Sequence, residues 1–210
     1  MTQTLFVHPE NPEIRALERA ARVLRDGGII AFPTDSCYAL GCHLGDKEAL
    51  DRLRAIRDID ERHHLTLMCR DLSEIAKYAR VDNAQYRLLK ATTPGSYVFI
   101  LEGTKELPRR VMHPRRKTIG LRVPNHPVAL TLLETLGEPL LTSTLLLPGN
   151  EAPLREAWEI ADALENRVAL VLDSGFCGVE PTTVIDLTGT TPELLRQGRG
   201  SLAPFGLVAT

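Results

Sequence analysis

The chain has 210 residues, 43% hydrophobic, 25% charged and 5% aromatic, with a formal net charge of −2. That is ordinary globular composition with ample length for a core, and it excludes a polycation, so any affinity for nucleic acid must come from a local patch. The four cysteines (Cys37, Cys42, Cys69, Cys177) lack disulfide-framework or zinc-ligand spacing, the first ten residues lack the basic-then-apolar layout of a signal peptide, and no apolar run approaches about 18 residues, so the expectation is a cytoplasmic chain with reduced thiols and no membrane span.

Leu5 to Val7 reads as a first short strand. Asn11-Pro12-Glu13 has the order of an N-cap, a first-turn proline and a first-turn acid. Ile14, Leu17, Ala21, Val23 and Leu24 then trace a helical stripe that Gly27-Gly28 ends. Ile29 to Phe32 is an apolar run between glycines and Pro33, which predicts a buried strand. Directly after it Thr34, Asp35, Ser36 and Tyr38 place four hydrogen-bonding side chains in five positions. Gly41 then frees the backbone, and a helix starts at Asp46 with Leu50, Leu53 and Ile56 on one face. Polar groups at the C-terminal end of a buried strand, just ahead of a helix, are where open α/β sheets put their ligands. The alternative is a strand end followed by ordinary turn residues.

Leu65 to Cys69 predicts another strand, and Asp71 with Glu74 a capping box for the next helix. A helix from Asp82 to Ala91 is broken by Thr93-Pro94-Gly95, and Tyr97 to Leu101 is a strand rich in β-branched and aromatic residues. Thr118 to Val123 is a further strand; Pro124 and Pro127 lead into a helix carrying Val128, Leu132, Leu133 and Leu136. Leu140 to Leu147 is an apolar strand stopped by Pro148-Gly149, and Glu151 to Asn166 reads as a helix containing Trp158. Val168–Leu172, Thr183–Leu187 and Leu194–Arg196 look like three closing strands. Strands and helices alternate, yet several strands arrive without a crossover helix. The fold class is therefore α/β with a twisted mixed sheet, in a single domain spanning residues 1–210.

No G-x-x-x-x-G-K-[ST] or H-E-x-x-H occurs. Gly198-Arg-Gly200-Ser-Leu-Ala203 matches G-x-G-x-x-A, but Pro204 follows where a helix should, so it is rejected. His63 and His64 are adjacent, would point apart in extended chain, and read as surface residues. Residues 105–117 hold Lys105, Arg109, Arg110, His113, Arg115, Arg116 and Lys117 against Glu106 alone. One reading is a solvated turn; the other is a basic face for the phosphates of ATP or RNA, without aromatics for base stacking.

Pro33-Thr34-Asp35-Ser36-Cys37-Tyr38-Ala39-Leu40-Gly41 resembles the P-T-[DE]-T-x-Y-G-L-G signature of the Sua5/YciO/YrdC family. Thr93-Pro94-Gly95-Ser96 is similar to its W-P-G-P, Arg122-Val123-Pro124 to its R-V-P, Thr182-Thr183-Val184-Ile185-Asp186 to its S-T-V-V-D, and Arg196-Gln197-Gly198 to its R-x-G. The motifs come in the family's order along nearly the whole chain. The resemblance implies a single YrdC-like α/β domain with an open concave cleft. It also implies a synthase-like site that makes threonylcarbamoyl-AMP from threonine, bicarbonate and ATP for tRNA modification. Carried over by position, Arg57 and Thr144 stand at the chemistry. Thr34, Ser36, Tyr38, Arg122, Thr182 and Thr183 bind substrate, and Arg196 meets the nucleotide phosphates. Thr34 and Tyr38 would position the amino acid, Arg57 would hold its carboxylate or bicarbonate, and Arg122 and Arg196 would offset phosphate charge. Mg²⁺ would come with ATP, with no protein-only metal site.

Two motifs depart from the synthases. Their K-x-R becomes Arg57-Asp58-Ile59, and their T-S-A-N-x-S-G becomes Ser143-Thr144-Leu145-Leu146-Leu147-Pro148-Gly149. Losing an arginine and an amide donor costs about 2–4 kcal/mol each if they act like other preorganised donors. Together that is a rate loss of about 10³- to 10⁶-fold. These departures, with Met68-Cys69-Arg70-Asp71-Leu72 and Thr118-Ile119-Gly120, resemble the YciO branch. Three functional readings stay open: a slow threonylcarbamoyl-AMP synthase-like enzyme; a double-stranded RNA or tRNA binding module using Lys105, Arg109, Arg110, Arg115, Arg116 and Lys117; and a small-molecule-binding regulator.

Overall fold

In the computed structural model, residues 2–208 are described. Ten strands are β1 Gln3–Phe6, β2 Ile30–Phe32, β3 Ala39–His43, β4 Thr66–Met68, β5 Tyr97–Glu102, β6 Thr118–Arg122, β7 Leu140–Thr144, β8 Leu170–Asp173, β9 Thr183–Asp186 and β10 Glu193–Arg196. Among the described residues the six α-helices are α1 Ile14–Arg25, α2 Lys47–Arg57, α3 Leu72–Tyr78, α4 Asn83–Thr92, α5 Pro127–Leu136 and α6 Ala157–Ala163. The strands form one sheet in the order β1-β8-β2-β3-β7-β4-β6-β5-β9-β10. Parallel pairs (β1 with β8, β2 with β8, β4 with β6, β5 with β9) are interspersed with antiparallel ones, so the mixed α/β sheet read from the sequence is the observed architecture.

The helix starts follow local chemistry. Asp46 accepts the Ala49 N–H at 2.9 Å to open α2. Asp82 and Gln85 form a reciprocal capping box on α4, and α5 has Pro127 in its first turn and Gly137 left-handed at its end. At α3, Asp71 accepts from the Glu74 N–H as read, but the Glu74 carboxylate returns to the Arg70 N–H. α1 starts later than the Asn11 cap predicted, at Ile14, with no side-chain cap. The polar residues ahead of it close a separate turn, in which His8 Nδ1 accepts the N–H groups of Glu10 and Asn11.

Two elements correct the sequence reading. The stretch after Tyr38 is not a loop leading to α2: Ala39–His43 turns back as β3, antiparallel to β2. Gly41 therefore serves close packing instead of a turn. A Cβ there would lie 2.7 Å from Leu140 Cδ2 and 2.9 Å from Phe32 Cε1. The helix expected over residues 151–166 shrinks to Ala157–Ala163, because Pro153 sits buried in an irregular segment ahead of it. Trp158 is 66% exposed on that short helix.

Strand alternation divides the core. On one face Ala31, Leu40, Leu67, Phe99, Leu121, Leu141 and Ile185 belong to a large cluster that also takes Leu50, Leu53 and Ile56 of α2, Ile75 of α3, Leu89 of α4 and Ile160 of α6. On the other face Ile30, Phe32, Ala39, Leu140, Leu170 and Leu172 pack with Leu17, Leu24, Leu132 and Leu133 of α1 and α5. That second helical layer covers only one end of the sheet. Along the rest of the face Thr142 and Thr144, Thr66, Val98 and Ile100, and Val184 line a cavity of about 570 Å³.

Candidate functional site

The floor of the cavity is the uncovered part of the sheet, and its walls are the connections at the strand ends. The turn between β2 and β3 supplies Thr34, Ser36, Cys37 and Tyr38; the end of α2 and the loop after it supply Arg57, Arg62, His63 and His64; β10 supplies Leu195 and Arg196.

Thr34 is 3% exposed and organises its own turn. Its hydroxyl donates to the Cys37 carbonyl at 2.7 Å and accepts the N–H groups of Ser36 and Cys37. The Ser36 hydroxyl lies 3.1 Å from Thr34 Oγ1 and accepts from Arg122 Nη1 at 3.3 Å. Tyr38 is buried, and its hydroxyl donates to the Gly175 carbonyl at 2.9 Å; burial, with Asp173 nearby, raises its pKa above the ordinary phenol value. Tyr38 thus braces the wall from behind. Burial likewise pushes the Cys37 thiol up to about 11, so it is not a thiolate at neutral pH. All four cysteines are free and buried.

Arg122 also reaches the cavity, but its charge is committed. It is 5% exposed and ion-paired through Nη2 with Asp35. Asp35 in turn accepts from Ser96 Oγ at 2.5 Å and the Asn125 N–H at 3.2 Å. Burial lowers the Arg122 pKa, opposed by Asp35. The cationic charge available on the cavity wall is instead that of Arg57, Arg62 and Arg196, none of which has an ion-pair partner among the described residues. Arg57 Nε donates to Ser143 Oγ at 3.0 Å. Arg196 is held on Thr182, donating to its carbonyl at 3.1 and 3.0 Å and to its hydroxyl at 3.1 Å. Burial lowers the Arg57 pKa and the charge of Arg196 lowers it further. The His63 pKa falls for the same reasons, through desolvation and then through Arg57 and Arg196. Two guanidinium groups that line one cavity without an ion-pair partner suit an anion there.

The pair Thr182-Thr183 divides. Thr182 faces the cavity beside Arg196, whereas Thr183 is fully buried and its hydroxyl donates to the Gly200 carbonyl at 2.7 Å while accepting the Gly198 N–H. Thr144 lines the cavity next to Leu146. Ile59 is partly buried against the core and is not on the cavity wall. Ser143, Arg62 and Glu151 are wall residues the sequence did not single out. Ser143 was within reach of the reading, since it begins the stretch aligned with the family's T-S-A-N. Among the described residues no group of three or more His, Cys, Asp and Glu could hold a metal ion.

The basic segment 105–117 is a well-tied loop at the same end of the molecule. Arg116 pairs with buried Asp186 at 2.6 Å, Arg110 Nη2 donates to the Gly45 carbonyl at 2.6 Å, and Lys117 Nζ donates to the Pro114 carbonyl. Lys105, Arg109 and Arg115 are exposed and form no ion pair among the described residues. His113 of this loop stacks on His64 at 5.1 Å between ring centroids. His64 is therefore no free surface residue: its Nε2 lies 2.8 Å from Thr118 Oγ1.

The family model for Sua5/YciO/YrdC, which carries the description "Telomere recombination", matches residues 22–198. An uncharacterized protein of Haemophilus influenzae is 54% identical over 206 residues, covering 98% of this chain and 100% of the relative. Uncharacterized protein YciO of Escherichia coli is 51% identical over 205 residues, with the same coverage. A crystal structure of E. coli YciO matches with a TM-score of 0.95 over 98% of this chain and 100% of that one. The threonylcarbamoyl-AMP synthase of Chromobacterium violaceum is 31% identical over 180 residues, 85% of this chain and 92% of the synthase. A crystal structure of P. abyssi Sua5 complexed with L-threonine matches at a TM-score of 0.86 and 27% identity, covering 94% of this chain and 58% of that one. Among the described residues no helix is long and apolar enough to cross a membrane.

Proposed function

The chain belongs to the Sua5/YciO/YrdC family, and from that premise we propose that it is a cytoplasmic threonylcarbamoyl-AMP synthase-like enzyme of low turnover, acting on ATP with Mg²⁺, threonine and bicarbonate. The observation that carries the reading is the pair of uncompensated cations, Arg57 on Ser143 and Arg196 on Thr182, facing one cavity. Joining bicarbonate, threonine and ATP brings several anionic groups together. Each close approach between them costs several kcal/mol, of the order of 4 kcal/mol at about 4 Å in a partly screened site, unless cations offset it. Arg57 takes a carboxylate or bicarbonate and Arg196 takes phosphate oxygens. Thr144 and Ser36 supply hydroxyls beside them, while Arg122, Thr34 and Tyr38 keep the turn that forms the wall. Mg²⁺ bound to ATP supplies further charge neutralisation. The product is an acyl-adenylate used in tRNA modification.

Leu146 on the wall, where the synthases carry an amide, is the feature that makes turnover slow. Ile59 is a lesser factor, because it packs against the core and an arginine there would have to leave it. The test is pyrophosphate release by purified protein given ATP, threonine and bicarbonate, beside Leu146→Asn and Arg57→Ala. Slow release, faster in Leu146→Asn and down by about 10²-fold or more in Arg57→Ala, is the expected result. Absence of both release and ATP binding at millimolar concentration overturns the reading.

A second reading, a double-stranded RNA or tRNA binding module, is favoured by one observation. Lys105, Arg109 and Arg115 are exposed and without an ion pair among the described residues, on a hydrogen-bonded loop that meets the cavity through the His64–His113 stack.

A further inference from the structure

The cavity wall carries one carboxylate among the described residues, Glu151. It forms no ion pair with Arg57, Arg62 or Arg196, although all four line the same space. Its place is fixed by the chain on both sides. Gly149 is left-handed with φ +82, the Asn150 N–H donates to the Leu147 carbonyl at 3.1 Å, and beyond it Leu154 N–H returns to the Leu145 carbonyl at 3.4 Å. Buried Pro153 prevents the helix from extending back over it. Opposite charges that face one cavity without touching are complementary to a ligand that carries both signs itself. The cations alone would favour any small anion; adding the carboxylate penalises a plain anion and rewards one with an ammonium group.

We propose that Glu151 receives the ammonium group of an α-amino acid whose carboxylate is held by Arg57, so that the cavity selects zwitterions over carboxylic acids of the same shape. The inference rests on the amino-acid pocket proposed above and names the residue that reads the amine.

The experiment titrates the full chain, free of nucleotide and with EDTA to remove divalent cations, with L-threonine and separately with 2,3-dihydroxybutanoate. The second ligand keeps the carboxylate and side chain but has a hydroxyl in place of the ammonium. Calorimetry or ligand-observed NMR gives both affinities for wild type, Glu151→Gln, Glu151→Asp and Arg57→Ala. Wild type is expected to prefer threonine by about tenfold, the scale of one charge-assisted hydrogen bond at a partly solvated site. Glu151→Gln should lose that preference through weaker threonine binding alone, Glu151→Asp should keep most of it, and Arg57→Ala should weaken both ligands. Threonine binding by Glu151→Gln equal to wild type overturns the assignment of Glu151 and leaves the pocket standing. Failure of wild type to bind threonine at all overturns the pocket, and this inference with it.

Discussion

Asp35 is one residue away from cavity-facing Ser36, yet its carboxylate joins Arg122, Ser96 and the backbone of Asn125. Three connections are tied there: the β2–β3 turn, the segment entering β5 and the segment entering α5. Asp35→Asn would leave the Arg122 charge buried and uncompensated, so a stability loss of about 3–5 kcal/mol is expected in urea unfolding. Replacing both residues by apolar ones should cost much less than Asp35→Asn alone; a single variant within about 1 kcal/mol of wild type would show that the pair does not hold the turn. The R-V-P match located the arginine at a strand end, but its partner lies 87 positions away and no local pattern reports it. Thr183 is a different kind of miss. Adjacent residues of a strand face opposite sides, so period two alone allowed only one of Thr182 and Thr183 into the cavity.

Elements with their own chemistry were legible. α2, α4 and α5 are set by Asp46, by the Asp82–Gln85 box and by Pro127 with Gly137, all within a few residues of the ends they fix. β3 was not, because Gly41 and the small, mixed residues around it gain strand structure only by lying between β2 and β7. The approach to β4 carries a pH dependence. His64 is held at a pKa of about 4, against an ordinary 6.5, by burial first and then by His113, Arg116 and His63, with Asp186 opposing. Its folded pKa is below its unfolded one, so the folded state binds fewer protons. The stability that the neutral ring contributes is complete above about pH 6.5 and is lost as the pH falls toward 4. Denaturant melts across that window should show His64→Gln with a shallower decline than wild type; parallel curves would exclude His64 as a contributor. His63 and His126, also shifted down by desolvation, leave the variant with a residual slope.

At the scale of the whole molecule, a net charge of −2 means that any RNA affinity would have to come from a local basic patch. The run at 105–117 holds six basic residues besides His113, but Arg110, Arg116 and Lys117 hold the loop together. Neutralising Lys105, Arg109 and Arg115 should therefore abolish any binding to double-stranded RNA without unfolding the loop. A partial variant should reduce the slope of log affinity against log salt by about one for each phosphate no longer neutralised. Unchanged binding and slope in the triple variant would remove this loop from the RNA reading. The family's motif order made the fold legible, because it spans the sheet; the charge balance inside the cavity was not, since Arg62 and Glu151 come from irregular segments with no period to read.

The second helical layer, α1 with α5, stops partway across the sheet. The core and the cavity thus occupy separate halves of one surface. Under the covered half, a lost methylene opens a void in close-packed material. On the bare half, half-buried Thr144 and Val184 line the cavity with Leu146 beside them, while Thr142 beneath keeps its hydroxyl on the Thr66 carbonyl. Exchanging side chains there changes what the cavity accepts at small cost to the scaffold. The floor can thus be re-cut for a different ligand without disturbing the packing that holds the sheet together.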